Sequence, residues 1–415
     1  MRCVTVEAKH LHSAMCAVYV RVGSRHETET TNGVSHMLEH LFFRGSRRFP
    51  DSVQMNAAVE AVGGNLNGVT MRDSSYFYTP SHPSGISVSL RILGDMLTQP
   101  RLVHLATEKK IILEEMLDEV DEKGRDIDVD NLSKKNLFGS HPLSFKIAGT
   151  PKTVKALNLA TVKQHFGRHY VAGNIVLGVA GNVDRREILS LAKRAFAKVP
   201  QGPRVSEEPP AFSKKPRFQF VRLDESQVEF RFTFPAVSEN HPDAVALALL
   251  RRVLDDGLSS RLPHNIVEKR GLAYAISASI EAFHDTGTFE IDGACAPEHT
   301  GPVTLEVMRT LATLRRGKIS SDELKRAQNR LQMQLSFMED APGDLCGWFA
   351  GTELFRTAET FQEKIEQSRR VRLADLVRVA QTYLVPHRLV TVAVGPYDAK
   401  RRMERALAQT PTLLR

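Results

Sequence analysis

Two stretches 214 residues apart carry the same pattern: Leu159-Ala-Thr-Val-Lys-Gln-His-Phe-Gly-Arg-His-Tyr170 with Asn174-Ile-Val-Leu-Gly-Val-Ala-Gly-Asn-Val-Asp184, and Leu373-Ala-Asp-Leu-Val-Arg-Val-Ala-Gln-Thr-Tyr-Leu384 with Arg388-Leu-Val-Thr-Val-Ala-Val-Gly-Pro-Tyr-Asp398. Leu159 matches Leu373, Gly181 matches Gly395 and Asp184 matches Asp398 without a gap. In each copy apolar residues recur at helical spacing, and a β-branched run without polar alternation then ends in a glycine, as a buried strand does. Between the copies lies Pro200 to Pro216, with five prolines and no helical or strand period, which reads as a linker. A repeat on either side of a linker implies a duplicated domain.

Outside the repeat each half mixes both kinds of element. Ala14 to Val22, Arg217 to Leu223 and Val228 to Phe234 have strand character, whereas Val88 to Leu97, Ala244 to Leu254 and Ser321 to Leu335 have helical spacing. The expected class is α+β, two similar αβ domains with mixed, mostly antiparallel sheets: residues 1–199, a linker 200–216 and residues 217–415. At 415 residues with 42% hydrophobic and 25% charged residues, the chain can bury such cores.

Several functions are excluded by what the chain lacks. No run approaches the roughly 18 apolar residues of a membrane span, and the first residues lack the apolar core of a secretory signal, so a cytoplasmic protein is expected. The net charge of +8 is not organised into a nucleic-acid motif, and no nucleic-acid partner is expected. Cys3, Cys16, Cys295 and Cys346 have neither zinc-thiolate nor disulfide spacing and read as reduced thiols. His104, His141, His169 and His264 read as isolated surface or core residues, and Trp348 as a packing residue. The acidic tract from Glu114 to Asp130 reads as a solvated helix and loop that could also favour basic peptides.

The chemistry concentrates in Gly33 to Arg44, a helical segment without a breaker that stops at Gly45. It contains His36-Met37-Leu38-Glu39-His40. Histidines at i and i+4 project from one helix face and can share a cation, and Glu39 sits on the flank of that face. Neutral imidazoles suit zinc, and a carboxylate beside a zinc-acidified water can accept its proton and return it to a leaving amine. A second helix, Glu108 to Glu119, is acidic enough to supply a third ligand. Glu108 and Glu115 share a face and Glu114 is turned about 100° from Glu115, so spacing alone leaves open which carboxylate binds.

The residues around these motifs resemble the pitrilysin, insulin-degrading enzyme and mitochondrial processing peptidase family, the inverzincins. The likeness runs in order through Val22-Gly-Ser-Arg-His-Glu27, Asn32 to Gly45, Ala61 to Thr70, Tyr76 and Tyr78, Glu108 to Glu115, Ile147 to Pro151, Gly257 to Leu262 and Glu268 to Tyr274. It implies a zinc metalloendopeptidase with one zinc per chain on His36, His40 and Glu115, Glu39 as general base and Glu108 as support. It also implies two domains around a chamber, and a peptide bound as an added strand near Asn67 to Thr70, with Asn67 and Tyr274 touching substrate. One position departs from the pattern: active members carry an arginine seven residues before that tyrosine, where this chain has Val267, and Arg270 lies only four residues away. Half the length of the family's four-domain members, the chain is expected to pair as a homodimer, or as a heterodimer whose sister subunit supplies an Arg/Tyr pair. The competing reading is a non-catalytic scaffold or assembly subunit that keeps the fold.

Overall fold

The computed structural model describes residues 1–213 and 215–414. The first half contains strands β1 (Arg2–Glu7), β2 (Ala14–Val20), β3 (Asn67–Thr70), β4 (Ser75–Ser81) and β5 (Ile175–Gly181). Its helices are α1 (Val34–Phe42), α2 (Ser52–Glu60), α3 (Ile86–Thr98), α4 (Leu105–Glu115), α5 (Val129–Phe138), α6 (Pro151–Ala156), α7 (Leu159–His169) and α8 (Arg185–Ala195). The second half adds β6 (Arg217–Arg222), β7 (Val228–Ala236), β8 (Ala275–Ala282), β9 (Gly287–Cys295) and β10 (Val390–Gly395).

The two sheets have the same topology. The first runs β1-β5-β2-β4-β3 and the second β6-β10-β7-β9-β8. In each, only the first pair, β1 with β5 and β6 with β10, is parallel. The other pairs are antiparallel. The repeated segments are therefore equivalent elements: α7 and the helix Leu373–Tyr383 start at the matched leucines, and β5 and β10 are the inner strands that follow. Every residue of β5 and of β10 is buried, which is why neither alternates polar with apolar.

Packing divides the chain less simply than sequence order does. One compact unit comprises residues 1–117, 145–207 and 334–359, and the other 118–144, 208–333 and 360–415. The two displaced segments are themselves repeat equivalents, because 118–144 moved along by the 214-residue offset falls on 332–358. In the first unit one face of the sheet buries Cys16, Val18 and Val20 against α1 and α3 in the main core. The helical segment 342–351 lies on the other face, where a side chain at Gly178 would stand 2.5 Å from Ala350 Cβ and 2.6 Å from Cys346 Sγ. In the second unit α5 takes the corresponding place, packing Leu132, Leu137 and Phe138 with Val390, Val392 and Val394.

The stretch 200–216 has neither helix nor strand among its described residues. Its first part is nonetheless fixed to the first unit. Ala172 N–H donates to Pro200 O at 2.8 Å, Val205 N–H donates to Asn174 Oδ1 at 2.9 Å, and the Glu207 carboxylate pairs with Arg21 and, at 2.6 Å, with His26.

Candidate metal centre

The HxxEH segment becomes a helix because one face is apolar and both ends are satisfied. Val34, Met37, Leu38, Leu41 and Phe42 are fully buried in the first unit's core. Gly33 precedes α1 at φ 95°, where a side chain would meet Ala148 O at 2.6 Å, so only glycine fits this entry. The free N–H groups of the first turn go to Glu27: its carboxylate accepts from Gly33 N at 2.7 Å, Ser35 N at 2.8 Å and Asn32 Nδ2 at 2.8 Å. A carboxylate there also complements the helix dipole. Burial pushes the Glu27 carboxyl up to about 7, although these hydrogen bonds pull it down.

With α1 anchored, His36 and His40 stand one turn apart, ring centroids 4.6 Å from each other. Helix α4 brings Glu115 to them, its Oε2 3.6 Å from His40 Nε2. His36, His40 and Glu115 each present one ligand atom, and these lie within 4.8 Å of one another. Zinc at about 2.0–2.2 Å from each donor sets donors roughly 3.4 Å apart, so small side-chain shifts suffice. The chemistry of the set fits as well. Burial, followed by the neighbouring His40, lowers His36 to about 4, leaving a neutral imidazole, and its Nδ1 is buried without a hydrogen-bond partner. Such an orphan costs stability unless a bound group takes it.

Glu108 does a different job. Its side chain is 1% exposed against 47% for Glu115, so only Glu115 faces outward. Its carboxylate accepts from His40 Nδ1 at 3.0 Å and from Arg44 Nε. That bond fixes the ring orientation and leaves His40 Nε2 free for a cation. Glu114 is exposed and outside the donor group, and Glu115 is the carboxylate that stands with His36 and His40.

Glu39 accepts from Thr70 Oγ1 at 2.5 Å. Burial raises its carboxyl above the usual range, against the lowering influence of Thr70 and His40. The contact requires β3 to lie directly on α1, and Gly68 makes room: a side chain there would sit 3.0 Å from the Phe43 ring and 3.1 Å from Glu39 Cγ. Asn67 and Val69, half-buried, alternate with Gly68 and Thr70 along β3, which ends the sheet order.

Tyr274 belongs to the second unit, where its side chain is 86% exposed. Val267 packs partly buried against that unit's core, and Arg270 is held by Glu306 at 2.8 Å. Sequence reading missed Arg44, Thr70 and Glu27, none of which has a spacing signal of its own. His169, isolated by sequence, has its ring tilted against His165 at 4.4 Å and edge-on to His26 at 5.8 Å between centroids. The i, i+4 spacing of His165 and His169 on α7 was the available signal. The acidic tract is the end of α4 and the loop after it, as its composition suggests: it turns at Met116–Glu119, forms a bridge between Val120 and Asp126, and enters α5. A second acidic group, Asp130, Glu281 and Glu290, is already engaged by two cations: fully buried Lys134, whose Nζ lies 2.6 Å from Glu281 and also contacts Glu290, and Arg231, which pairs with Asp130 and Glu290. No helix among the described residues is long and apolar enough to cross a membrane.

Known proteins resemble this chain over nearly its whole length. Residues 2–151 match the family model described as insulinase (peptidase family M16), and residues 156–331 match the peptidase M16 inactive domain. An uncharacterized zinc protease of Mycobacterium tuberculosis is 27% identical over 98% of this chain and 94% of its own. A probable mitochondrial-processing peptidase subunit beta of Arabidopsis thaliana is 25% identical over 95% of this chain and 77% of its own. The same fold appears in a peptidase M16 inactive domain from Pseudomonas fluorescens (TM-score 0.86, 20% identity, 95% of each chain). It appears again in a chain of complex III2 from Candida albicans (TM-score 0.81, 17% identity, 98% of this chain and 97% of that one).

Proposed function

Since the chain belongs to peptidase family M16, whose relatives include proteins named as zinc proteases, we propose that it is a zinc-dependent endopeptidase of extended peptides. The observation that carries this reading is the convergence of His36, His40 and Glu115 beside Glu39. These three residues would hold one zinc per chain, which supplies Lewis acidity and brings the pKa of a water toward about 7. Glu39 would accept a proton on its carboxylate and return it to the leaving amine, while Thr70 orients that carboxylate. Glu108 keeps the His40 ring in place.

The free edge of β3 suits a peptide laid down as a further strand. Backbone hydrogen bonds along Asn67 to Thr70 read no particular sequence, which favours unfolded or presequence-like segments drawn into a chamber. In this reading residues 1–199 are the catalytic domain and 217–415 contact substrate through Tyr274, in a cytoplasmic protein. The second domain lacks the arginine that would pair with that tyrosine, since Val267 is apolar and Arg270 is engaged by Glu306. A sister subunit supplying an Arg/Tyr pair therefore completes the enzyme.

The test is Glu39→Gln: peptide cleavage should vanish with zinc content unchanged, and retained cleavage refutes the assignment. Val267 also favours one other reading, a non-catalytic assembly subunit. That reading predicts no bound zinc after metal-replete expression, which metal analysis of the purified chain distinguishes.

A further inference from the structure

On the first unit, helices α3 and α8 and the loop after α1 enclose a cavity of about 360 Å³ whose lining includes no residue of the candidate metal centre. Arg48, Arg91, Arg194 and Lys198 contribute four cationic side chains to its wall, and Asp95 is its one carboxylate. Arg48 Nε lies 3.2 Å from Asp95 Oδ2, and Lys198 Nζ donates to Gln99 Oε1 at 2.9 Å. Neither Arg91 nor Arg194 makes a close ion pair with a carboxylate among the described residues, although Arg91 acts on Asp95 at longer range. The wall therefore carries a surplus of positive charge, and a concave low-dielectric surface concentrates the field of such a surplus on a small anion.

Asp95 is the feature that an incidental basic patch lacks. It is 5% exposed, and its Oδ2 has no hydrogen-bond partner despite the nearby Arg48, whose N–H is not directed at it. Arg48 and, at longer range, Arg91 and Lys198 offset its charge, and its place in the cavity wall sets a carboxylate acceptor beside the cations. Guanidinium groups match the oxygens of a phosphate, and a carboxylate matches a hydroxyl. The volume lies at the small end of ligand sites.

We propose that this cavity binds a small phosphate monoester bearing hydroxyl groups, with Arg91 and Arg194 on the phosphate and Asp95 accepting from a hydroxyl. The proposal stands independently of peptidase activity, because none of its residues serves the metal centre.

Calorimetric titration of the whole chain at low salt tests it with three probes: ribose 5-phosphate, inorganic phosphate and ribose. Ribose 5-phosphate should bind saturably and about tenfold or more tighter than inorganic phosphate, the value of one hydrogen bond to a charged group, and ribose should not bind. The exposed pair R91A/R194A should lose ribose 5-phosphate binding by about tenfold or more while keeping its zinc content and unfolding midpoint. D95N should reduce the ester to the affinity of inorganic phosphate. No saturable binding of ribose 5-phosphate, equal binding of the ester and inorganic phosphate, or undiminished binding by R91A/R194A would each overturn the assignment.

Discussion

Glu108→Gln separates a supporting carboxylate from a metal ligand. The buried Glu108 carboxylate receives both His40 Nδ1 and Arg44 Nε. A glutamine of the same shape offers one carbonyl oxygen and an NH2 group, so one of the two donors is left facing another donor. Breaking a buried ion pair costs about 3–5 kcal/mol; Arg44, whose side chain is 32% exposed, can turn to water, which points to the low end, about 3 kcal/mol. The His40 ring also loses the partner that orients it, which for residues bonded to a metal ligand lowers metal affinity about 10–100-fold. Glu115→Gln should behave differently. Glu115 is half exposed and its contact is the 3.6 Å approach to His40, so the metal-free protein should keep its stability while zinc affinity falls. Urea unfolding of the metal-free proteins and chelator-competition titration with zinc read the two quantities separately. The reasoning fails if Glu108→Gln leaves both unchanged, or if Glu115→Gln destabilises the metal-free protein as much.

Gly68→Val should drive β3 off α1, since the added carbons meet Phe43 and Glu39; cleavage of an unstructured peptide should fall about tenfold or more with zinc binding intact. Residues 1–199 expressed alone lack 334–359, which buries Leu345, Cys346, Ala350 and Leu354 in the first unit. The two leucines alone are worth roughly 3–6 kcal/mol against a total of about 5–15, so this fragment should show no cooperative urea transition, and a sharp transition would refute the interleaved arrangement. His169, buried and lowered to about 4, stays neutral in the fold while its unfolded counterpart protonates near 6.5. Its contribution is therefore present above about pH 6.5 and lost as pH falls toward 4. Glu27, raised to about 7, works in the opposite sense between about 4.5 and 7, so the informative measurement is a difference: His169→Gln should lose less stability than the parent between pH 6.5 and 4.

What the sequence disclosed was whatever a local period or a fixed spacing could carry. The matched leucines at 159 and 373 and the buried runs after them lead directly to equivalent helices and strands. His36, His40 and the face shared by Glu108 and Glu115 follow from 3.6-residue geometry. The contacts that finish the site come from elsewhere in the chain: Thr70 reaches Glu39 from a strand 31 positions on, and Arg44 meets Glu108 across 64. Glu27 looks like any surface acid until Gly33 and Ser35 are seen to donate to it. Pairings of this kind depend on which elements the fold brings together, and no period encodes them.

The displaced segments show the same limit at the scale of domains. A proline-rich stretch between two repeats reads naturally as a cut between independent bodies. Yet α5 and the segment 342–351, equivalent by the 214-residue offset, each belong to the packing unit built mainly from the other half. Had the ancestral repeat folded as a self-contained unit, its copy of this helix would have covered its own sheet, as Leu132 and Phe138 now cover Val390 and Val392 of the other repeat. Exchange of one equivalent helix in each direction preserves every buried face while making each half depend on the other for part of its core. The half that carries His36, His40 and Glu115 is thus stabilised by a segment of the half that carries Val267. The second half therefore has a structural duty, part of the first unit's core, that does not depend on any contact it makes with a substrate.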